Sequence, residues 1–110
     1  MVMDAASTEK TASSPMELVL IALCGCTATD VASILHKKRE PFTGLEVRAE
    51  GEQAPKPPKV FTAIRLVYKV RGRVSKKAME DAVRLSKEKY CSVSAMLEKA
   101  ATITYTIEYE

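Results

Sequence analysis

The sequence predicts an α+β domain with a central buried helix and a second helix packed on an antiparallel sheet. Three observations carry this prediction. A long apolar segment near the beginning opens with helix-start signals. Three later segments alternate apolar and polar residues, as half-buried strands do. A polar, proline-rich stretch joins the first two of these, which indicates a hairpin. A chain of 110 residues is enough for one domain with one modest core.

The central helix is predicted from about Pro15 to Lys38, and Pro41 stops it. Ser14 is placed to cap its beginning, and Glu17, three residues later, completes a capping box. The segment Leu18–Leu23 is apolar all the way round. We therefore expect this half of the helix to be buried on all sides.

The remaining elements follow in order. They are a strand at Phe42–Glu50, a loop at Gly51–Lys59, a strand at Val60–Arg71, a helix at Lys76–Lys89 capped by Ser75, a short helix at Val93–Ala100 and a strand at Thr102–Glu110. In the last strand the predicted inward residues are Ile103, Tyr105, Ile107 and Tyr109. Residues 1–13 are small and polar and are expected to form an N-terminal arm. Three strands cannot easily bury both helices, so a homodimer is expected.

Composition excludes several classes of protein. Charged residues at 28% and apolar residues at 46% are ordinary for a soluble domain. The net charge of +3 is spread among interspersed acids and bases, without tryptophan or a basic stripe, so no nucleic-acid partner is expected. The longest apolar run is far short of a membrane span, and the beginning does not read as a signal peptide. We expect a cytoplasmic protein.

The sequence has three cysteines, and an odd number argues against a structural disulfide framework. Cys24 and Cys26 are expected in the buried part of the central helix, where a cysteine is most often a packing residue. Cys91 is expected at a helix start, where backbone N–H groups favour a thiolate. If the second helix packs on the first, Cys26 and Cys91 could meet as a redox couple.

At these residues the chain resembles the OsmC/Ohr family of thiol peroxidases, and within it the YhfA-like subgroup. Pro15 and Cys26 are eleven residues apart, as in the family's central helix, and Gly25 precedes Cys26 as in its first motif. The segment Cys91–Ser94 matches the second motif. The resemblance covers nearly the whole chain.

The resemblance implies a hydroperoxide reductase. Cys26 would be the peroxidatic cysteine that attacks the O–O bond of an organic hydroperoxide, and Cys91 the resolving cysteine. The family forms an intertwined homodimer with apolar sites at the interface. A thiol reductant such as a lipoyl protein would regenerate the enzyme, without a metal or organic cofactor. The family begins with further strands, one of which carries an arginine near the peroxidatic thiolate. We expect these strands to be missing here, and no residue of the sequence is matched to that arginine.

Two further departures distinguish the sequence from the main branch of the family. The helix-start glutamate, which follows the proline directly in the family, stands one residue later here as Glu17, with Met16 in its place. Ser92 replaces the proline that usually follows the resolving cysteine. These departures leave open a catalytically impaired dimer that binds an apolar ligand.

Several single residues have more than one possible role. Glu17 is the capping partner of Ser14 or an acid–base helper near Cys26, and the two roles are compatible. Cys24 lies about 200° round the helix from Cys26 and is interpreted as packing. His36 is interpreted as a solvated cation at the helix end. A metal or thiol-sensing site would be built from Cys24, Cys26 and Cys91, with His36 as an optional fourth member. Cys-x-Cys on a helix splays its sulfurs apart, so no metal is expected.

Overall fold

A computed structural model describes residues 14–110. The predicted N-terminal arm lies outside these residues. The elements run in the order α1 (Pro15–Lys37), β1 (Phe42–Gln53), β2 (Phe61–Gly72), α2 (Lys76–Leu85), a π-helix (Ser86–Tyr90), α3 (Ser92–Leu97) and β3 (Thr102–Tyr109). Every predicted helix and strand is present. The ends of several elements and one strand direction differ from the prediction.

The predicted capping box is present at the beginning of α1. The Ser14 hydroxyl accepts a hydrogen bond from the Glu17 N–H at 3.3 Å, and the Glu17 carboxylate accepts one from the Ser14 N–H at 3.4 Å. One stripe of the helix is fully buried, with a residue every turn: Leu23, Thr27, Val31 and Leu35. This stripe fixes the face of α1 that meets the rest of the chain.

The hairpin of β1 and β2 is antiparallel, with Val47 opposite Tyr68. β1 is three residues longer than predicted, because Gly51–Gln53 still pair with β2. The Pro-rich loop is therefore shorter than the predicted Gly51–Lys59. Prolines cannot donate to a sheet, but residues before them can continue to pair.

The prediction of an antiparallel sheet is wrong for β3. The sheet order is β1–β2–β3, and β3 runs parallel to β2, with Leu66 opposite Tyr105. The connection between the two strands contains α2, the π-helix and α3. A helical crossover of this kind returns the chain to the end of the sheet at which β2 began, so the next strand runs parallel.

The second helix is also not a continuous α-helix to Lys89. After Leu85 it widens into one π-turn, in which the Cys91 N–H donates to the Ser86 carbonyl five residues back at 2.7 Å. The short third helix begins at Ser92 and ends at Leu97, earlier than the predicted Ala100. Such π-turns are rare and occur often at functional sites.

The core lies between the helices and one face of the sheet. Its largest fully buried side chains come from α1, β2 and α2: Tyr68, Leu23, Leu35, Ile64, Leu66 and Met79. Ile103 of β3 is buried as predicted, but Tyr105 and Tyr109 are 37% and 40% exposed. β3 is an edge strand, and the helices cover its C-terminal part incompletely.

The N-terminal half of α1 is not buried on all sides within one chain. Leu23 is buried, whereas Ile21 is 55% exposed, and Cys24 and Cys26 are only partly buried. By length and apolar character α1 could cross a membrane, with a mean hydropathy of 2.0 in its most apolar window. The core helix of a soluble protein meets the same criterion, and α1 carries a stripe of buried residues that packs on the sheet and on α2.

Candidate active site

Two cysteines and an aspartate converge where α1 meets the beginning of α3. Cys26 and Asp30 are one turn apart on α1, and Cys91 is the N-cap residue of α3. The two sulfurs and a carboxylate oxygen of Asp30 all lie within 4.8 Å of one another. The π-turn brings Cys91 to this position, because it ends the second helix beside α1.

Burial governs the protonation of Cys91. Its sulfur accepts a hydrogen bond from the Ser94 N–H at 3.4 Å, the helix-start contact that the sequence predicts. Desolvation outweighs this contact and, together with a hydrogen bond to Cys26, raises the pKa of Cys91 from 9.0 to about 12. The expectation that this position favours a thiolate is therefore wrong, and Cys91 is a thiol at neutral pH.

A buried hydrogen-bond network ends at Asp30. The Thr27 hydroxyl lies 2.7 Å from the Tyr68 hydroxyl and 2.9 Å from the Ser86 hydroxyl, and Ser86 donates to Asp30 Oδ2 at 3.0 Å. Thr27, Tyr68 and Ser86 are each at most 1% exposed. The network joins α1, β2 and the π-helix directly behind the thiol pair.

Sequence reasoning missed all four residues of this network. Thr27 and Asp30 interrupt an apolar helix close to Cys26, and Ser86 interrupts the apolar stripe of the second helix. Buried polar residues of this kind need partners, which is the signal that could have drawn attention to them. Their partners come from distant parts of the sequence, and only the fold identifies them.

The other candidate residues lie apart from the thiol pair. Cys24 packs against the core, as predicted, and burial raises the pKa of its thiol. Glu17 forms the capping box at the helix start. His36 is exposed at the far end of α1, where its ring lies 4.9 Å from that of Phe42.

A cleft of about 360 Å³ opens beside Asp30 along the C-terminal half of α1. Apolar side chains of Ile34, Leu85 and Tyr90 line it, together with Lys37 and Lys38. Asp30 therefore lies between the thiol pair and a cleft open to solvent, and water can reach its carboxylate.

Cys26, Asp30 and Cys91 are also close enough together to hold a metal ion. They supply three ligand atoms, fewer than the four of a structural zinc site and as many as the protein supplies in a catalytic one. Neither Cys24 nor His36, both of which the metal hypothesis considered, is in this group. The arrangement is that of a thiol pair with a neighbouring carboxylate.

These features define a small α+β protein that holds two thiols together at the junction of a long core helix and a helical crossover. The sequence profile of the family described as OsmC-like protein matches residues 7–106. The chain is 50% identical over 107 residues to protein YhfA of Escherichia coli K12, covering 96% of this chain and 79% of the relative. It belongs to the OsmC-like family.

Solved structures share the fold. A hypothetical protein from Aquifex aeolicus VF5 is 37% identical, with a TM-score of 0.83 over 92% of this chain and 78% of its own. The organic hydroperoxide resistance protein OhrB of Bacillus subtilis is 11% identical, with a TM-score of 0.72 over 90% of this chain and 73% of its own. At 11% identity the likeness to OhrB concerns the fold alone.

Proposed function

We propose that the protein is a thiol-dependent peroxidase that reduces organic hydroperoxides through Cys26 and Cys91. The observation that carries this proposal is the approach of the two sulfurs to within 4.8 Å of each other. A disulfide would require the two sulfurs to close from within 4.8 Å to about 2 Å. The resemblance of both cysteine motifs to the family supports the same roles.

The roles follow from the two environments. Cys26 is partly exposed and takes the peroxidatic role, whereas Cys91 is 2% exposed and takes the resolving role. The Cys26 thiolate attacks the O–O bond, becomes a sulfenic acid and releases an alkoxide, which takes up a proton as alcohol. The Cys91 thiol then condenses with the sulfenic acid, forming a disulfide and water. An external dithiol reduces the disulfide and is itself oxidised.

The partners are part of the proposal. A second copy of the chain would cover the exposed apolar half of α1, where Ile21 is 55% exposed. A lipoyl protein in the cytoplasm is the reductant that the family resemblance suggests. Glu17, besides capping α1, would assist the thiolate only if the dimer brings it to the site.

The test is hydroperoxide consumption by the purified protein with dihydrolipoamide, using cumene hydroperoxide and hydrogen peroxide. Cys26→Ser should abolish turnover, and Cys91→Ser should leave a single turnover that stops at the sulfenic acid. Cys24→Ser is the matched control, because Cys24 lies on the same helix two residues away and should be dispensable. A folded wild type without activity toward either peroxide would refute the proposal.

One observation favours a second candidate, a catalytically impaired dimer that binds an apolar ligand. Glu17, the predicted acid–base helper, forms the capping box at the start of α1, and the group beside the two thiols contains Asp30 instead. An impaired protein would bind a fluorescent fatty acid equally well as wild type and as Cys26→Ser, and would consume no peroxide.

A further inference from the structure

The hydrogen-bond network behind the thiol pair has a defined direction. Ser86 has one hydroxyl proton and gives it to Asp30, so the bond between Thr27 and Ser86 must be donated by Thr27. Thr27 in turn accepts from Tyr68. Burial raises the pKa of Tyr68 to about 12, so the phenol keeps its proton at neutral pH. The three hydrogen bonds therefore run in one direction, from Tyr68 through Thr27 and Ser86 to Oδ2 of Asp30.

This direction fixes the Asp30 carboxylate without blocking it. Oδ2 accepts from Ser86, which holds the plane of the group. A carboxylate offers about four acceptor sites on its two oxygens, so Asp30 keeps acceptor capacity beyond this bond. A carboxylate oxygen of Asp30 lies within 4.8 Å of both sulfurs, a distance that direct contact or one bridging water can span.

Disulfide formation at this site requires a proton acceptor. The resolving sulfur starts as a thiol in a buried position, and a thiol is a poor nucleophile until it loses its proton. The ionisable groups around Asp30 are Cys26 on its own helix, Cys91 at the start of α3, and Lys37, Lys38 and Tyr90 along the cleft. Asp30 is the carboxylate that lies within 4.8 Å of both sulfurs.

We propose that Asp30 is the catalytic acid–base group of the thiol pair, and that Tyr68, Thr27 and Ser86 are positioning residues that hold its carboxylate. This inference rests on the proposed function. As the Cys91 sulfur forms its bond to the Cys26 sulfur, its proton passes to the Asp30 carboxylate. The S–O bond of the sulfenic acid breaks, and the departing oxygen takes the proton from Asp30 to leave as water. Cys91 is oxidised and the sulfenic sulfur is reduced.

Removal of the Asp30 charge separates this role from a purely electrostatic one. In Asp30→Asn the thiol of Cys91 loses a negative neighbour, so its alkylation should begin at lower pH. If Asp30 acted only through its charge, the larger thiolate fraction would make disulfide formation faster. If Asp30 takes the proton, disulfide formation should become slower by about 100-fold or more, the usual contribution of a general base.

The experiment measures the resolving step without any peroxide. In a Cys24→Ser background, Cys26 is converted with Ellman's reagent to a mixed disulfide, and attack by Cys91 releases a second coloured thiolate. The rate of this release reports the step in which Cys91 loses its proton. A protein that lacks peroxidase activity still gives this readout, so failure of the proposed function and failure of the inference remain distinguishable.

We expect Asp30→Asn to slow the release about 100-fold at neutral pH, Ser86→Ala about 10-fold, and Asp30→Glu to restore part of the loss. Ser33→Ala is the matched control, because Ser33 lines the same cleft without a bond to Asp30 and should leave the rate unchanged. An Asp30→Asn rate equal to or above that of the parent would overturn the inference. So would a loss of rate accompanied by a Cys91 alkylation profile shifted to higher pH, since that would indicate a displaced thiol.

Discussion

Thr27 is the centre of the buried network, and its substitution gives the sharpest test of the packing behind the site. Thr27→Val keeps the shape of the side chain and removes the hydroxyl that bonds both Tyr68 and Ser86. The Tyr68 phenol then has a buried O–H without its acceptor. An orphaned buried group costs about 1–3 kcal/mol, and the lost bond to Ser86 adds about 1 kcal/mol, so we expect a loss of about 2–4 kcal/mol in the free energy of unfolding.

The companion substitution is Tyr68→Phe, which removes the phenol hydroxyl instead of leaving it without an acceptor. It should cost about 1 kcal/mol, because Thr27 keeps its bond to Ser86. In the double variant no phenol is left unpaired, so the combined loss should be about 2 kcal/mol rather than the sum of the two single losses. A coupling of at least 1 kcal/mol is the expected result.

The assay is equilibrium unfolding in urea at one fixed protein concentration, because dimerisation would make stability concentration-dependent. Thr29→Val is the matched control: Thr29 lies on the same helix, is exposed, and bonds only the Gly25 carbonyl. It should change stability by less than about 0.5 kcal/mol. Additive losses in the double variant would show that the network is not energetically coupled, and the reasoning would fail.

Three further predictions concern the rest of the chain. The free energy of unfolding should fall as pH rises from about 9 to about 12, because the unfolded chain releases the Cys91 proton near its ordinary pKa of 9.0 while the folded chain keeps it. Unfolding measured at several pH values tests this, and Cys91→Ser should flatten the decline. Gly72→Ala should destabilise by at least about 1–2 kcal/mol, because Gly72 has a φ of +107° and an added Cβ would lie 2.7 Å from the Pro41 carbonyl oxygen; thermal unfolding reports it. Ile21→Glu should shift the protein toward monomers in sedimentation experiments, since a charge would be buried in the proposed dimer interface.

These predictions have their own controls. Gly44→Ala should be nearly neutral, because the three atoms nearest its added Cβ belong to the Arg71 side chain, the first at the ordinary contact distance of 3.5 Å. The contribution of Cys91 to stability is complete below about pH 9 and lost as pH approaches 12, so a stability that rises over this window would contradict the burial of the thiol. A wild type that sediments as a monomer would contradict the proposed dimer.

Local patterns in the sequence determined the elements of the fold. Ser14, Pro15 and Glu17 fixed the beginning of α1, since capping depends on residues within one turn. Alternation located all three strands, and the two cysteine motifs identified the family before any contact was known. Each of these signals is local or lies in a short motif, and it can therefore be recognised from the sequence alone.

The tertiary structure decided what depends on contacts between distant segments. The parallel direction of β3 follows from the path of the crossover, which periodicity does not record. The pKa of Cys91 reverses the expectation from its helix-start position, because burial is a property of everything packed around it. The network from Tyr68 to Asp30 joins residues 41, 59 and 56 positions apart in its three bonds. Only folding brings these groups within hydrogen-bond distance, so the sequence contains the residues of the site but not their connection.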